Sequence, residues 1–215
     1  MVPKSVRQIW DASKVAITFD GNSMVDPVYS NLCTQLQALR PLNGNFTISN
    51  FALSGQTIAN MDSAASDVDS AFVIGKTNFL LIWEVTNSIF VDGITGVAAC
   101  TQLATYIANR KAVHPWRVVV LTCIPRGENL YSYTAASGEV QLQAANDYLR
   151  KNYKSMGIEA LVEMRRTGGP FDFTDSSNSA NFPVGLWTDY THPNSAGHAY
   201  TARYIADVLV NLRAK

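Results

Sequence analysis

The run "NFLLIWEV", residues 78–85, decides the fold. Apart from Asn78 and Glu84 it is apolar throughout, with no alternation between an oily and a wet face. Such a run predicts a strand covered on both sides, which is the position of a central strand in a parallel sheet. Working outward, similar runs stand on either side. "VAITF" at 15–19 and "FTISNFAL" at 46–53 precede it; "RVVVLTCIP" at 117–125, rich in β-branched residues, and the short "IEALVEM" at 158–164 follow. Helix-period segments fill the gaps: one around Tyr29–Leu39, one from Ile58 to Ala71, and "GVAACTQLATYIANRKAV", which ends ahead of His114-Pro115. The last of these, "EVQLQAANDYLRKNYKSMG" at 139–157, carries Gly157 at its stop. This alternation predicts an α/β protein: a three-layer α/β/α sandwich around a mostly parallel five-stranded sheet. With no internal repeat and no linker, residues 1–215 read as a single domain.

Bulk properties narrow the function classes. Hydrophobic residues at 47% against 16% charged describe a chain that buries a core rather than a disordered one. Lys plus Arg equals Asp plus Glu at 17 each, and no basic run exists to track phosphates, so nucleic acid is not an expected partner. No segment approaches 18 continuous apolar residues, so membrane insertion is not expected either. The opening "MVPKSVRQIWDASK" lacks the apolar stretch of a signal peptide. That fits an intracellular protein, or a domain cut from a larger secreted or virion-associated one, and leaves compartment and oligomeric state open. Cys33, Cys100 and Cys123 form no CxxC pair and are odd in number, which argues against a disulfide framework or a thiolate metal site. Cys123, inside "VVVLTC", reads as a buried structural thiol.

Ligands of such sheets bind outside the carboxyl ends of the strands, so chemistry is sought there. The first strand runs into "FDGNSMV", where turn residues bring Ser23 to the strand-to-helix connection with its hydroxyl exposed; a helix cap would use a serine in the same place. The second strand is followed by "ALSGQT", in which Gly55 allows close backbone approach. The third is followed by "IWEVTNS", with Asn87 at the sheet edge. Before the last helix, "WTDYTHPNSAGHAY" (187–200) sets Asp189 three residues ahead of His192. A carboxylate on Nδ1–H fixes the imidazole tautomer and leaves Nε2 to accept a proton from a serine hydroxyl.

These four blocks, "DGNSMV", "ALSGQT", "WEVTNS" and "TDYTHPNSAGH", resemble in order and placement those of the SGNH hydrolases, the GDSL esterase/lipase superfamily. The resemblance spans essentially the whole chain, and the D-x-x-H-P block is its most specific part. It implies a flavodoxin-like sheet and a Ser-His-Asp triad: Ser23 as nucleophile, His192 as general base, Asp189 as its orienting acid. It further implies an oxyanion hole from the Ser23 and Gly55 N–H groups and the Asn87 side chain, with no cofactor and no metal. Two departures stand out. Asn22 replaces the usual aspartate of G-D-S, and Val85-Thr86-Asn87-Ser88 replaces the usual G-x-N-D.

The implied activity is a serine carboxylester hydrolase acting through an acyl-serine intermediate on a small-molecule or glycan ester, such as a short-chain ester or an O-acetylated carbohydrate. Two other classes fit the same blocks: a non-catalytic carbohydrate-binding module derived from an esterase, motivated by the altered Asn87 block, and an acyltransferase. Glu84, closing a buried strand, reads equally as a brace for the Asn87 loop and as plain structure. Trp187 and Tyr190 flank the acid as candidates for a substrate wall, with core packing nearly as good a reading for Trp187. His198 reads as a packed or surface histidine, His114 as loop, Arg126 as a solvated side chain, and 172–181 as a polar loop rather than a calcium site.

Overall fold

The computed structural model describes residues 12–39, 46–127 and 133–213. The opening stretch without a signal-peptide run lies, up to Asp11, outside them. Five strands form one sheet: β1 (Val15–Gly21), β2 (Thr47–Asn50), β3 (Thr77–Trp83), β4 (Arg117–Leu121) and β5 (Ile158–Val162). Every pairing is parallel, in the order β2-β1-β3-β4-β5. From β1 the chain steps outward to β2, then crosses back to lay β3 against the other side of β1. The winding therefore reverses between β1 and β3, the place where sheets of this kind open a crevice at their carboxyl edge.

Burial explains the order. All seven residues of β1 are buried, and β3 is buried from Asn78 to Trp83. Alternate residues feed two cores: Ile17, Phe19, Phe79 and Leu81 pack on one side of the sheet, Leu80, Ile82, Val118 and Val120 on the other. The first core is closed by α1 (Leu32–Ala38) and α7 (Ser195–Arg213), which contribute Leu36, Ala202, Ile205 and Leu209. The second is closed by α2 (Ile58–Ser63), α3 (Ala65–Ser70), α5 (Gly96–Val113) and α6 (Ala135–Asn152).

Several boundaries differ from the sequence expectation: the second strand spans Thr47–Asn50 rather than 46–53, for instance, and the helix expected over 139–157 spans Ala135–Asn152. The helix expected over 58–71 breaks at Ala64 into α2 and α3, within a serine- and aspartate-rich stretch whose side chains compete for backbone partners; Ser63 Oγ, for example, donates to the Ala59 carbonyl at 3.0 Å. The strand expected to reach residue 125 leaves the sheet after Leu121. Beyond that point Asn146 takes over the ladder, accepting from the Cys123 N–H at 2.7 Å and donating to its carbonyl at 2.9 Å. A short helix, α4 (Thr86–Phe90), follows β3 where a loop is expected, because the Glu84 carboxylate accepts the Asn87 and Ser88 N–H groups that open it.

Candidate active site

β1 ends at Gly21, where an added Cβ would meet the Trp83 carbonyl oxygen at 2.7 Å, so only glycine lets the backbone pass β3 here. The Asn22 carbonyl then accepts the N–H groups of Val25 and Asp26 at 3.0 and 3.1 Å. Asn22 Oδ1 accepts from Met24 N at 3.0 Å. This tight turn carries Ser23, whose Oγ lies 2.8 Å from His192 Nε2.

His192 arrives from the far end of the chain on a small hairpin. The Thr188 N–H donates to the His192 carbonyl at 2.8 Å, and the Asn194 N–H to the Leu186 carbonyl at 2.9 Å. Asn194 Oδ1 then accepts the N–H groups of Ala196 and Gly197, capping α7. Asp189 sits in the bend of the hairpin. Its Oδ1 accepts the backbone N–H groups of Thr191 (2.7 Å) and His192 (2.6 Å), and its Oδ2 lies 2.9 Å from His192 Nδ1. Partial burial would raise the carboxyl's pKa. The His192 ring, the His192 N–H and the Thr191 N–H outweigh that and hold it below the usual carboxylate range. With Nδ1–H donating to Asp189, Nε2 is left to accept from the Ser23 hydroxyl. Tyr29 stacks beside the imidazole, with ring centroids 6.4 Å apart and planes inclined by 23°, and is 60% exposed.

Gly55 occupies the left-handed region at φ +77°, with open space where a side chain would start. Its turn is tied to the Ser23 turn by Asp26, which accepts the Ser54 N–H on Oδ2 at 2.7 Å. No protein acceptor takes the N–H of Ser23 or of Gly55 among the described residues. Asn87 donates from Nδ2 to the Gln56 carbonyl at 3.1 Å, and its Oδ1 accepts from the Arg126 guanidinium at 3.1 Å. That pairing fixes which way the amide faces, and no other described residue accepts from Nδ2. Arg126 is thus not the solvated side chain expected: it is 6% exposed, with its guanidinium against Asn87 and 4.9 Å above the Phe90 ring.

Glu84 is fully enclosed and accepts from Asn22, Asn87 and Ser88. Burial pushes its carboxyl up to about 7, against the pull of those donors. Trp187 packs edge-on against Phe171, Phe173 and Phe182, which engages its ring in an aromatic cluster. Tyr190 leans on Phe182 and remains 49% exposed. His198 is packed rather than superficial: it contacts Ser30 Oγ at 3.3 Å and Asn31 Oδ1 at 3.2 Å, and burial lowers its pKa to about 4. His114 stacks on Phe72 at 4.5 Å.

No protein-family model matches the chain, and no curated protein matches it in sequence. Solved structures do match it. A member of the lipolytic protein G-D-S-L family from Veillonella parvula aligns with a TM-score of 0.68 at 14% identity, over 90% of this chain and 97% of that one. The chain has the G-D-S-L fold. A GDSL-like lipase from Bacteroides thetaiotaomicron (TM-score 0.63, 16% identity, 94% of this chain and 90% of that one) is similar over the same extent. So is an alpha/beta hydrolase enzyme from the metagenome of Lake Arreo, Spain (TM-score 0.62, 16% identity, 94% and 97%).

Within this G-D-S-L fold, Ser23, Gly55, Asn87, Asp189 and His192 all gather at the carboxyl edge where the winding reverses. Three neighbours are ones that the sequence does not place in the site. Tyr29 reads as the start of a helix, Arg126 as a solvated side chain, and Asp26 draws no reading. Only Asp26 had a legible cue, since an aspartate three residues past a turn serine is well placed to tie down a second loop.

Proposed function

We propose that the chain is a serine carboxylester hydrolase of the SGNH superfamily, working through an acyl-serine intermediate. One observation carries this reading: the unbroken line Ser23 Oγ–His192 Nε2, His192 Nδ1–Asp189 at 2.8 and 2.9 Å, beside three donors that no acceptor among the described residues takes up. Ser23 Oγ attacks the ester carbonyl carbon while its proton passes to His192 Nε2. The developing oxyanion is received by the N–H groups of Ser23 and Gly55 and by Asn87 Nδ2. Collapse expels the alcohol, which takes the proton from His192. Water, deprotonated by the same nitrogen, then releases the acid and frees Ser23.

For the substrate we put short acyl groups on carbohydrate first. The exposed Tyr29 face beside His192 is suited to stacking on a sugar ring. A cavity of about 350 Å³ is lined by Asp26–Val28, Leu53 and Gln56, on either side of the Gly55 turn, and by Met61 and Val68.

The test is turnover of a short-chain aryl ester and of acetylated glycans, with labelling by a serine-reactive fluorophosphonate. Wild type should label and hydrolyse. Ser23→Ala should neither label nor turn over, losing roughly 10⁴-fold or more. An unlabelled wild type, or a Ser23→Ala variant that keeps most activity, would overturn the proposal.

A further inference from the structure

The hydrolase reading leaves the buried acid Glu84 without a role. Glu84 ends the β3 exit with both carboxylate oxygens occupied. Oε2 accepts from Asn22 Nδ2 at 2.5 Å and from the Asn87 N–H at 3.2 Å; Oε1 accepts from the Ser88 N–H at 2.8 Å and from Ser88 Oγ at 3.0 Å. Ser88 Oγ in turn accepts the Ile58 N–H at 3.0 Å, the first residue of α2 and only three beyond Gly55. From this one carboxylate, hydrogen bonds therefore run to the Ser23 turn, to Asn87 and to the segment that follows Gly55. Those are the three places from which the oxyanion donors come.

We infer that Glu84 is a positioning residue that sets the mutual geometry of the Ser23, Gly55 and Asn87 donors, and that Asn22 and Ser88 are the partners through which it does so. This inference rests on the serine-hydrolase reading. It also accounts for Asn22 and Ser88, where the motifs the chain resembles carry aspartates. Position 22 carries an amide and position 88 a hydroxyl, both of them donors, and both face Glu84. Aspartates there would crowd three carboxyls into one enclosed space, where like charges cannot all ionise. Among the described residues, the groups near Glu84 include the Cys123 thiol, with its pKa pushed up to about 12 mainly by burial, and Asn87, which in turn holds the Arg126 guanidinium. Glu84 touches neither substrate nor the reacting atoms; it acts through the donors.

The test is a mutant cycle on Asn22→Asp, Glu84→Gln and the double variant, with Ser88→Ala beside them and Ser23→Ala as blank. Each is read in kcat and KM on a short-chain ester and in urea unfolding. Glu84→Gln sets an amide donor against the Asn22 and Asn87 donors. It should lower kcat by roughly 10²-fold with KM within about twofold, as expected when oxyanion donors are displaced but binding survives. Asn22→Asp should fall similarly. The double variant swaps the two roles, with a carboxylate at position 22 accepting from an amide at position 84. It should regain about tenfold over Asn22→Asp and recover much of its unfolding midpoint, since a broken donor–acceptor pair is restored. Ser88→Ala, which cuts only the link to α2, should lose about tenfold in kcat.

Two results would overturn the role: a double variant no better than Asn22→Asp in either readout, or a folded Glu84→Gln enzyme with unchanged kcat. Failure of the hydrolase reading looks different. Ser23→Ala would then match wild type, removing the positioning role with it, while the coupling between positions 22 and 84 would still appear in unfolding.

Discussion

At the scale of single residues, Asn87 is held by two opposite demands. Its Oδ1 is pinned by Arg126 and one Nδ2 hydrogen by the Gln56 carbonyl, so the remaining hydrogen has a fixed direction. A donor aimed in advance costs no reorganisation when negative charge develops, which is why such donors matter more in the transition state than in substrate binding. Asn87→Ala should therefore lower kcat by about 10²–10³-fold and leave KM nearly unchanged. A variant whose loss falls mainly in KM would place Asn87 in ground-state binding instead. The same logic explains why Arg126 escapes a reading of sequence. Its place near a polar, glycine-containing loop suggests solvent, yet the carboxyl edge needs a fixed cation over Phe90 to orient the amide. Asp189 and His192, by contrast, are legible, since three residues of separation let a carboxylate fold back onto its own hairpin and onto Nδ1.

At the scale of elements, α7 does more than cover the sheet. Its first turn sits against the hairpin that bears His192, and Gly197 makes that contact possible. A Cβ at this position would lie 2.5 Å from the Leu186 carbonyl oxygen and 2.7 Å from the Pro193 Cβ. Neither neighbour is the flexible end of a long side chain, so the hairpin itself must shift. Gly197→Ala is expected to cost about 1–3 kcal/mol of stability by overpacking. It should also lower kcat by up to about 10²-fold, since small displacements of a reacting group are expensive. Urea unfolding and steady-state kinetics on the same preparation check both. Unaltered kcat in a destabilised variant would show that the hairpin is positioned from elsewhere. Element boundaries were only partly readable from the sequence. The β3 run announces itself through unbroken hydrophobicity, but α4 forms because Glu84 caps it, and α2 parts from α3 through local serine bonding that periodicity does not register.

At the scale of the whole molecule, two enclosed carboxyls shape how stability depends on pH. Burial raises Glu84 from an ordinary 4.5 to about 7. It also raises Asp20 from 3.8 to about 6, despite hydrogen bonds from Tyr106 at 2.5 Å, Gly21 at 2.9 Å and Gln56 at 2.9 Å. A raised carboxyl contributes stability that is fully present below its unfolded value and is lost as pH climbs through its folded value. His198 works against them, because its pKa is lowered to about 4 and stability falls as pH drops from 6.5 toward that value. Comparison with Glu84→Gln cancels the Asp20 and His198 contributions. The stability of wild type relative to Glu84→Gln should fall by on the order of 3 kcal/mol between about pH 4.5 and 8. Parallel urea-unfolding curves for the two proteins across that range would show that Glu84 does not titrate as a buried acid. Among the described residues no helix is long and apolar enough to cross a membrane.

The sequence alone determined where the strands lie, that they run parallel, and which side chains stand at their carboxyl ends. Hydrophobic runs and turn residues act through neighbours a few positions away, and such effects survive in a one-dimensional reading. Only the tertiary structure decided that β1 lies between β2 and β3 and that Ser23 meets a histidine 169 residues distant. The same holds for Glu84, whose bond to Asn22 spans 62 positions. These contacts depend on how whole elements pack, and a buried carboxylate gains its meaning from the donors that packing brings to it.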